Sequence, residues 1–389
     1  MTDADRGPVT PSLLTVLREW GRIGCIGFGG PPTHIKLLRA LCVEQRRWID
    51  ATEFEDAIAT CNLLPGPAST QLSIYCAWRL RGRAGALVGG TAFILPGLVV
   101  ILALAALFLE GAPPTWVLAA GAGAGSAVAA VAVHAGVGLV PASWARSAAR
   151  VRWAAYVLAG AVAAATLGPR LVLVLLACGG VELLLRRGLP RGPARPGLSP
   201  LPLLGVGTLS AGVLLSVAWV AIKVGALSYG GGFVIIPLMQ SDAVSHYHWM
   251  TGAQFLNAVA LGQITPGPVV QTVAVVGYAA AGLAGGILAS VVAFSPSFAF
   301  ILLGGQRFDQ VRADRRARAF LDGAGPAAIG AIFGSALPLT RALSQPWQYA
   351  VLAGALILLL LLRRGVVLTL LVAGAVGALL AVAGGPLPH

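Results

Sequence analysis

The chain has 389 residues, of which 57% are hydrophobic and only 11% are charged. A soluble domain carries about 25% charged residues because water must solvate its surface, so a soluble protein and a disordered one are both excluded. The formal charge of +13 does not indicate nucleic-acid binding, since the basic residues lie in short loops between apolar runs, as in cytoplasmic loops of membrane proteins. The composition predicts an all-α polytopic membrane protein in a lipid bilayer.

The N-terminal segment is polar and lacks the basic and apolar regions of a cleaved signal. We therefore expect the N-terminus to stay in the cytoplasm. The five cysteines show no metal-binding spacing, and no HExxH or GxSxG motif occurs. We expect no metal, no cofactor and no enzymatic activity.

Apolar runs long enough to span a bilayer recur along the chain, and the interval Ala243 to Gln306 contains no Asp, Glu, Lys or Arg. We expect roughly ten to thirteen hydrophobic segments at about 20 residues per span. The stretch 186–199 is basic and rich in Pro and Gly, which is typical of a cytoplasmic linker. It predicts two transporter repeats, 1–185 and 200–389.

The two repeats are copies of one sequence. A shift of 201 residues without a gap, which sets Gly230 against Gly29, aligns residues too specific to match by chance in an apolar chain. The aligned pairs include Gly30 with Gly231, Trp48 with Trp249, the motif Pro65-Gly66-Pro67 with Pro266-Gly267-Pro268, Gly85 with Gly286, and Phe93 with Phe294.

The charges predict that the copies are inverted relative to each other. Two connections of the first copy carry arginines (Arg39, Arg46 and Arg47, then Arg79, Arg81 and Arg83), whereas the matching stretches of the second copy carry no Lys or Arg. After the next span the bias reverses, because 110–116 has no basic residue and 306–318 has several. Equivalent loops therefore favour opposite sides of the membrane. Arg341 does not fit this scheme.

The Pro-Gly-Pro motifs predict broken helices. Two prolines and a glycine cannot continue a helix, and broken backbone at membrane depth must be buried in protein or line a wet cavity. About 30 residues separate the two arginine clusters of the first copy, which favours a re-entrant hairpin with its tip at the motif; two tilted, kinked passes are the alternative.

A helix that starts after each motif would offer free N–H groups and the positive end of its dipole, so the two together would form an anion pocket near the midplane. The candidates are Pro65, Gly66, Pro67, Ser69, Thr70, Pro266, Gly267, Pro268 and Gln271. In the alternative reading the prolines only set helix geometry.

Further candidates lie beside the motifs. Asn62 and Gln263 precede them and could line the pocket with neutral donors, whereas Gly29, Gly30, Gly230 and Gly231 could let backbone approach an ion or merely pack. His34 could relay protons or hydrogen-bond backbone freed by the break. Lys223 could attract the anion or snorkel to the interface. Asp56, whose counterpart is Asn257, suggests a proton-coupling carboxylate.

Several motifs occur in an order that resembles the chromate ion transporter family in its long, two-domain form. They are GFGGPPTHIKLL (Gly27 to Leu38), NLLPGPASTQL (Asn62 to Leu72), AFILPG (Ala92 to Gly97), KVGALSYGGG (Lys223 to Gly232), GQITPGPVVQT (Gly262 to Thr272) and FSPSF (Phe294 to Phe298). The motif of the second copy ends in Ser295-Pro296-Ser297 where that of the first copy has Leu95-Pro96-Gly97, so the copies need not contribute equally.

The resemblance implies transport of chromate across the bacterial inner membrane, usually as efflux linked to the proton gradient. Sulfate is the chemically similar oxyanion. Uptake or passive transport of sulfate or another oxyanion is an alternative, and a membrane protein with a structural or regulatory role and no transported substrate is an alternative of another class. The sequence does not decide between a monomer and a homodimer.

Overall fold

The computed structural model describes residues 11–61, 64, 66–110, 113–147, 149–167, 170–186, 209–228, 235–304 and 314–386. Asn62, Pro65, Gly230, Gly231 and the linker 186–199 after Arg186 lie outside the described residues. The described part of the chain is helical and holds no strand, which confirms the all-α class.

The described residues form fifteen α-helices. They are α1 (Leu13–Ile26), α2 (Pro31–Arg39), α3 (Ala51–Cys61), α4 (Ala68–Leu109), α5 (Thr115–Ser126), α6 (Val128–Arg146), α7 (Arg150–Thr166), α8 (Leu171–Leu185), α9 (Leu209–Leu227), α10 (Ile235–Gln240), α11 (Gly252–Ile264), α12 (Thr272–Gly304), α13 (Arg315–Arg341), α14 (Pro346–Leu356) and α15 (Val366–Val382). π-Helical turns extend α2 (Ala40–Gln45), α10 (Ser241–His246) and α14 (Ile357–Leu361), and a 3₁₀ turn (Val269–Gln271) precedes α12.

Capping residues fix several helix starts. Ser12 Oγ accepts the N–H of Thr15 at 3.1 Å before α1, and Thr251 and Gln254 form a reciprocal capping box at the start of α11. Pro31 opens α2 directly after Gly30, whose φ of 74° favours glycine.

Four helical stretches of the described part are long and apolar enough to cross a membrane: Ala68–Leu109, Thr115–Arg146, Val269–Gly304 and Arg318–Arg341. Large apolar side chains such as Leu303 and Val382 are exposed on the outside of the bundle, where a soluble protein would carry polar groups. The architecture is that of a multi-pass membrane protein.

Helix α4 doubles back on itself at Arg81 and Gly82. A straight helix of 42 residues would be about 63 Å long, twice the hydrocarbon thickness of about 30 Å. The chain reverses where Gly82 takes a φ of 60°, so that Gly85 contacts the carbonyl of Ala77 and Gly90 contacts Ile74. Residues 68–80 and 83–109 thus form two antiparallel arms.

Helix α12 reverses in the same way at Ala281 and Gly282, where φ is 59° at the glycine. Gly285 contacts the carbonyl of Gly277, as Gly85 contacts that of Ala77 in α4. Equivalent positions here differ by 200 residues (Gly282 against Gly82), although the two Pro-Gly-Pro glycines differ by 201 (Gly267 against Gly66). The ungapped pairing of Gly85 with Gly286 and of Phe93 with Phe294 is therefore wrong.

The register changes directly after the second Pro-Gly-Pro motif. Three residues separate Pro67 from Gln71 but only two separate Pro268 from Gln271, and each glutamine folds back over the glycine of its own motif. The missing residue explains why the second copy resumes as the 3₁₀ turn Val269–Gln271 and the first directly as an α-helix, because a 3₁₀ turn needs only about three residues.

The two copies meet along the long arms of α4 and α12. Gly90 packs against the ring of Phe298, and Leu102 packs against Gly286. Residue numbers rise along one arm as they fall along the other, so these arms run antiparallel. Each copy also packs its opening helix on its own long arm: Gly24 contacts the carbonyl of Phe93 and Gly225 that of Ala293.

The remaining helices are interleaved between the copies. Helix α13 of the second copy packs on α7 and α8 of the first, while α5 of the first copy packs on α15 of the second. Small residues allow this close approach: Gly160 contacts the carbonyl of Ala327, and Gly123 that of Ala373. Gly123 therefore serves the close packing of α5 on α15.

Candidate functional site

The glycine turn Gly27–Gly30 and the two Pro-Gly-Pro motifs meet inside the bundle. The carbonyl of Gly27 accepts the backbone N–H of Gly267 at 3.1 Å and lies 2.9 Å from His34 Nε2. His34 Nδ1 in turn lies 3.3 Å from Ser69 Oγ, just after the first motif. One histidine and one carbonyl therefore connect three interrupted segments from both copies.

The partners of His34 fix its tautomer. A carbonyl can only accept, so Nε2 carries the hydrogen, and Nδ1 of the neutral ring accepts from the Ser69 hydroxyl. The ring is fully buried and contacts Phe93 edge-on with centroids 4.9 Å apart. In this arrangement His34 bonds to backbone near the break, the second of the roles that the sequence left open.

The first Pro-Gly-Pro motif lies between α3, which ends at Cys61, and α4, which begins at Ala68. Gly66 has a φ of 121°, and a Cβ at this position would stand 2.5 Å from Gln71 Nε2, 3.3 Å from Ser297 Oγ and 3.4 Å from the carbonyl of Gly225. No side chain fits there. The last two residues belong to the second copy, so the motif faces the opposite repeat.

The second motif lies between α11, which ends at Ile264, and the 3₁₀ turn before α12. Gly267 has a φ of 100°. Gln271 Nε2 donates to the carbonyl of Ile94 at 2.6 Å, and the carbonyl of Pro266 touches Gly97. This motif therefore packs on the first copy, at the level where the first motif packs on the second.

Other candidate glycines line the same junction. Gly29 and Gly30 have φ values of 94° and 74°, and Gly30 packs against Val269 next to the second motif. The sequence-predicted residues Gly29, Gly30, His34, Gly66, Pro67, Ser69, Thr70, Pro266, Gly267, Pro268 and Gln271 thus lie on three connected segments.

Several buried polar atoms at these segments have no hydrogen-bond partner in the described part of the protein. They include Thr70 Oγ1 at the start of α4, Gln263 Nε2 at the end of α11, Gln271 Oε1, and Ser297 Oγ beside Gly66. Unpartnered buried polar atoms cost free energy and are rare in proteins. Thr70 Oγ1, Gln263 Nε2 and Ser297 Oγ belong to groups that can donate to an anion, whereas Gln271 Oε1 and the likewise buried Gln71 Oε1 only accept.

Lys223 does not lie free in the apolar region. Its Nζ donates to Asp242 Oδ2 at 2.6 Å, and its side chain stacks over Trp219 at 5.5 Å from the ring centroid. The pair joins α9 to the π-helical turn after α10, and both side chains are buried. Neither capture of an anion nor snorkelling describes this contact, because the charge is already neutralised by a carboxylate.

Asp56 lies apart from the junction, near the outer half of α3, where it is only half-buried. The neighbouring carboxylates pair with the arginines of the first copy, Glu53 with Arg79 and Glu55 with Arg39. Glu53 is near the start of α3 and Arg79 is near the end of the short arm of α4. The start of α3 and the end of that arm therefore lie at the same level of the bundle. Asp56 is half-buried, and its role in proton coupling stays a prediction.

Four groups that make the contacts described above were not singled out from the sequence. Ser297 and Gln71 belong to the junction, Asp242 neutralises Lys223, and the carbonyl of Gly27 connects His34 to Gly267. A one-residue gap in the alignment would have pointed to Gln71 as the counterpart of Gln271. Asp242 stands directly before the long charge-free interval, which is the only sequence signal for it.

The comparisons with known proteins agree with the motifs. The chromate transporter family model matches residues 14–183 and 215–378. The chain is 32% identical over 387 residues to a chromate transport protein of Cupriavidus metallidurans, covering 98% of this chain and 95% of the relative. It is 29% identical over 371 residues to a chromate transport protein of Pseudomonas aeruginosa, covering 88% and 85%. No solved structure gives a significant match.

Proposed function

We propose that this chain, which belongs to the chromate transporter family, carries chromate across the bacterial inner membrane as efflux linked to the proton gradient. The oxyanion binds near the midplane, where the two Pro-Gly-Pro motifs meet. The two repeats have inverted topology, the N-terminus is cytoplasmic, and the motifs form the tips of re-entrant hairpins.

The observation that carries this proposal is the junction at Gly66. The first motif touches Ser297 and Gly225 of the other copy, and Thr70 Oγ1 and Ser297 Oγ find no partner there among the described residues. The start of α4 adds N–H groups without intrahelical partners and the positive end of the helix dipole. A tetrahedral dianion such as chromate matches convergent donors of this kind.

The packing of the copies supports inverted repeats. The long arms of α4 and α12 run antiparallel, and each motif packs on the long arm of the opposite copy. The pairing of Glu53 with Arg79 supports a re-entrant hairpin, because it brings the chain back to the level at which α3 began. Interrupted helices between inverted repeats are the usual setting of a carrier site.

Everted membrane vesicles test the transport. With an imposed pH gradient, vesicles that contain the protein should accumulate labelled chromate, and a Pro67→Ala/Pro268→Ala variant that inserts normally should not. Accumulation equal to that of vesicles without the protein would reject transport and favour a structural or regulatory role. Equal uptake of labelled sulfate would favour a general oxyanion carrier.

Asp56 tests the link to protons. Its counterpart in the second copy is Asn257, so Asp56→Asn gives the first copy the side chain that the second already carries. We expect the variant to bind chromate but to lose most of the response of transport to the pH gradient. Glu55→Gln, one residue earlier on the same helix and paired with Arg39, is the matched control. An unchanged pH response in Asp56→Asn would show that another group couples transport to protons.

A further inference from the structure

The hydroxyl groups around the two Pro-Gly-Pro motifs are used differently. At the second motif, Thr265 Oγ1 donates to the carbonyl of Leu261 and Thr272 Oγ1 to that of Val269, each at 2.8 Å. At the first motif, Thr70 and Ser297 are fully buried, and neither hydroxyl has a partner in the part of the chain that the structure describes. Hydroxyls that could serve a ligand therefore gather at the first motif.

Ser297 has no equivalent in the other copy. The shift of 200 residues that relates the reversed arms sets Ser297 against Gly97. Gly97 has no side chain, and its place is taken by the carbonyl of Pro266, which touches it. The first motif thus faces a hydroxyl across the interface between the copies, whereas the second faces backbone.

We propose that the protein has one oxyanion subsite and not two, located at the first Pro-Gly-Pro motif, with Ser297 as the ligand that the second copy contributes. Thr70 and the start of α4 supply the donors from the first copy. The second motif keeps one donor without a partner among the described residues, Gln263 Nε2, but its hydroxyls are already bonded, and we assign it a structural role. This inference rests on the proposed function, since it assigns the site at which the transported oxyanion is held.

The test measures heat-induced unfolding of the purified full-length protein in detergent, with and without chromate. Ligand that binds only the folded state raises the unfolding midpoint. In Ser297→Ala, the midpoint without chromate should equal or exceed that of the wild type, because a buried hydroxyl without a partner is removed. The affinity for chromate should fall about 10- to 100-fold, the range expected for loss of a hydrogen bond to a charged group.

Two controls separate this role from a structural one. Ser126→Ala removes an equally buried hydroxyl that donates to the carbonyl of Ala122 at 2.7 Å, and it should lower the midpoint slightly while the chromate response stays. Thr272→Val, at the second motif, should also lower the midpoint slightly and keep the chromate response. Thr70→Val should lose affinity as Ser297→Ala does.

The outcomes distinguish this inference from the proposed function. A wild type that responds neither to chromate nor to sulfate would overturn the proposed function. A wild-type response that Ser297→Ala retains, or that Thr272→Val loses, would overturn the single subsite alone.

Discussion

His34 shows how one side chain can hold interrupted backbone together. Each break in a buried helix leaves N–H and carbonyl groups that need partners, and the ring serves two segments at once, with Nε2 toward Gly27 and Nδ1 toward Ser69. Because Gly27 also accepts from Gly267, the second copy is connected to the same point. The corresponding position of the second copy is Ile235, so this connection exists once.

We expect His34→Ala to lower the free energy of unfolding by about 2–4 kcal/mol, from two lost hydrogen bonds and a cavity beside Phe93. His34→Gln keeps a donor for Gly27 and should lose less. His246→Ala, at an exposed position, is the control, and unfolding in detergent is the measurement. Equal midpoints for His34→Ala and the wild type would contradict the role in joining the segments.

Residue identity could be predicted where a residue stands next to a proline break and not where long-range contact decides. The motifs themselves suggest Thr70, Gln271 and His34 because each stands next to a proline break. Asp242 and Ser297 do not follow from spacing, because their partners lie on other helices. That neither alternative describes Lys223 depends on the position of Asp242, which only the packing of α10 against α9 reveals.

At the scale of elements, each copy has an ion pair that ties its opening helix to its π-helical turn or to the residue directly after that turn. The first copy uses Glu19 with Arg46 at 2.9 Å, where the arginine side chain is half-exposed. The second uses Lys223 with Asp242, with side-chain exposures of only 12% and 2%. The buried pair carries the higher cost if it is broken.

Removing one partner of the buried pair should therefore destabilise the protein by about 3–5 kcal/mol in Lys223→Met or Asp242→Leu, since a charge is left unpaired. The double variant should recover most of the loss. Glu19→Gln, at the exposed pair, should cost at most about 1 kcal/mol. Unfolding midpoints of these four variants and of the wild type check this prediction. A double variant as unstable as either single variant of the buried pair would contradict it.

The reversals of α4 and α12 depend on glycines with positive φ. A Cβ on Gly82 would meet no atom within 4 Å, so Gly82→Ala tests backbone conformation alone. Because its φ of 60° with ψ of −147° is essentially confined to glycine, the change should cost about 1–3 kcal/mol. Gly180→Ala, also in open space but inside helix α8, should be neutral or stabilise by up to about 1 kcal/mol. Similar unfolding midpoints for Gly82→Ala and Gly180→Ala would mean that the backbone at the reversal of α4 tolerates a side chain without strain.

At the scale of the whole molecule, the two repeats are separate in sequence but interleaved in space. Arg186, at the end of α8, donates to Glu182 on its own helix and to Asp322 of α13, at 2.7 and 2.9 Å. Tyr156 of α7 donates to the same Glu182 at 3.1 Å. These contacts add to the close packing of α7 and α8 on α13. Each repeat therefore buries packing surfaces of the other.

A protease site inserted between Arg186 and Leu209 tests this interleaving. After cleavage, the two fragments should remain associated through size-exclusion chromatography in mild detergent. Each fragment expressed alone should be degraded or aggregate, because its packing surfaces stay uncovered. Separation of the cleaved fragments would contradict the interleaved arrangement.

The fold class and the multi-pass membrane location could be read from the composition, since few charges and long apolar runs leave no other class. The exchange of helices such as α5 and α13 between copies could not, because packing among uniformly apolar helices leaves little pattern in the sequence. The alignment register of the two copies after Pro268 could not be predicted either, because apolar residues such as Val269 and Val270 align equally well with or without a gap. The inverted arrangement remains a prediction that the antiparallel arms support.

The residue missing after Pro268 has a thermodynamic consequence. When a carrier built from inverted repeats turns its site from one face of the membrane to the other, the repeats exchange conformations, and identical repeats would make the empty inward-open and outward-open forms equal in free energy. A tighter turn in one repeat removes this degeneracy. Under the proposed transport, we therefore expect the unloaded protein to rest facing one compartment, and this turn is one of the differences between the repeats that set the bias.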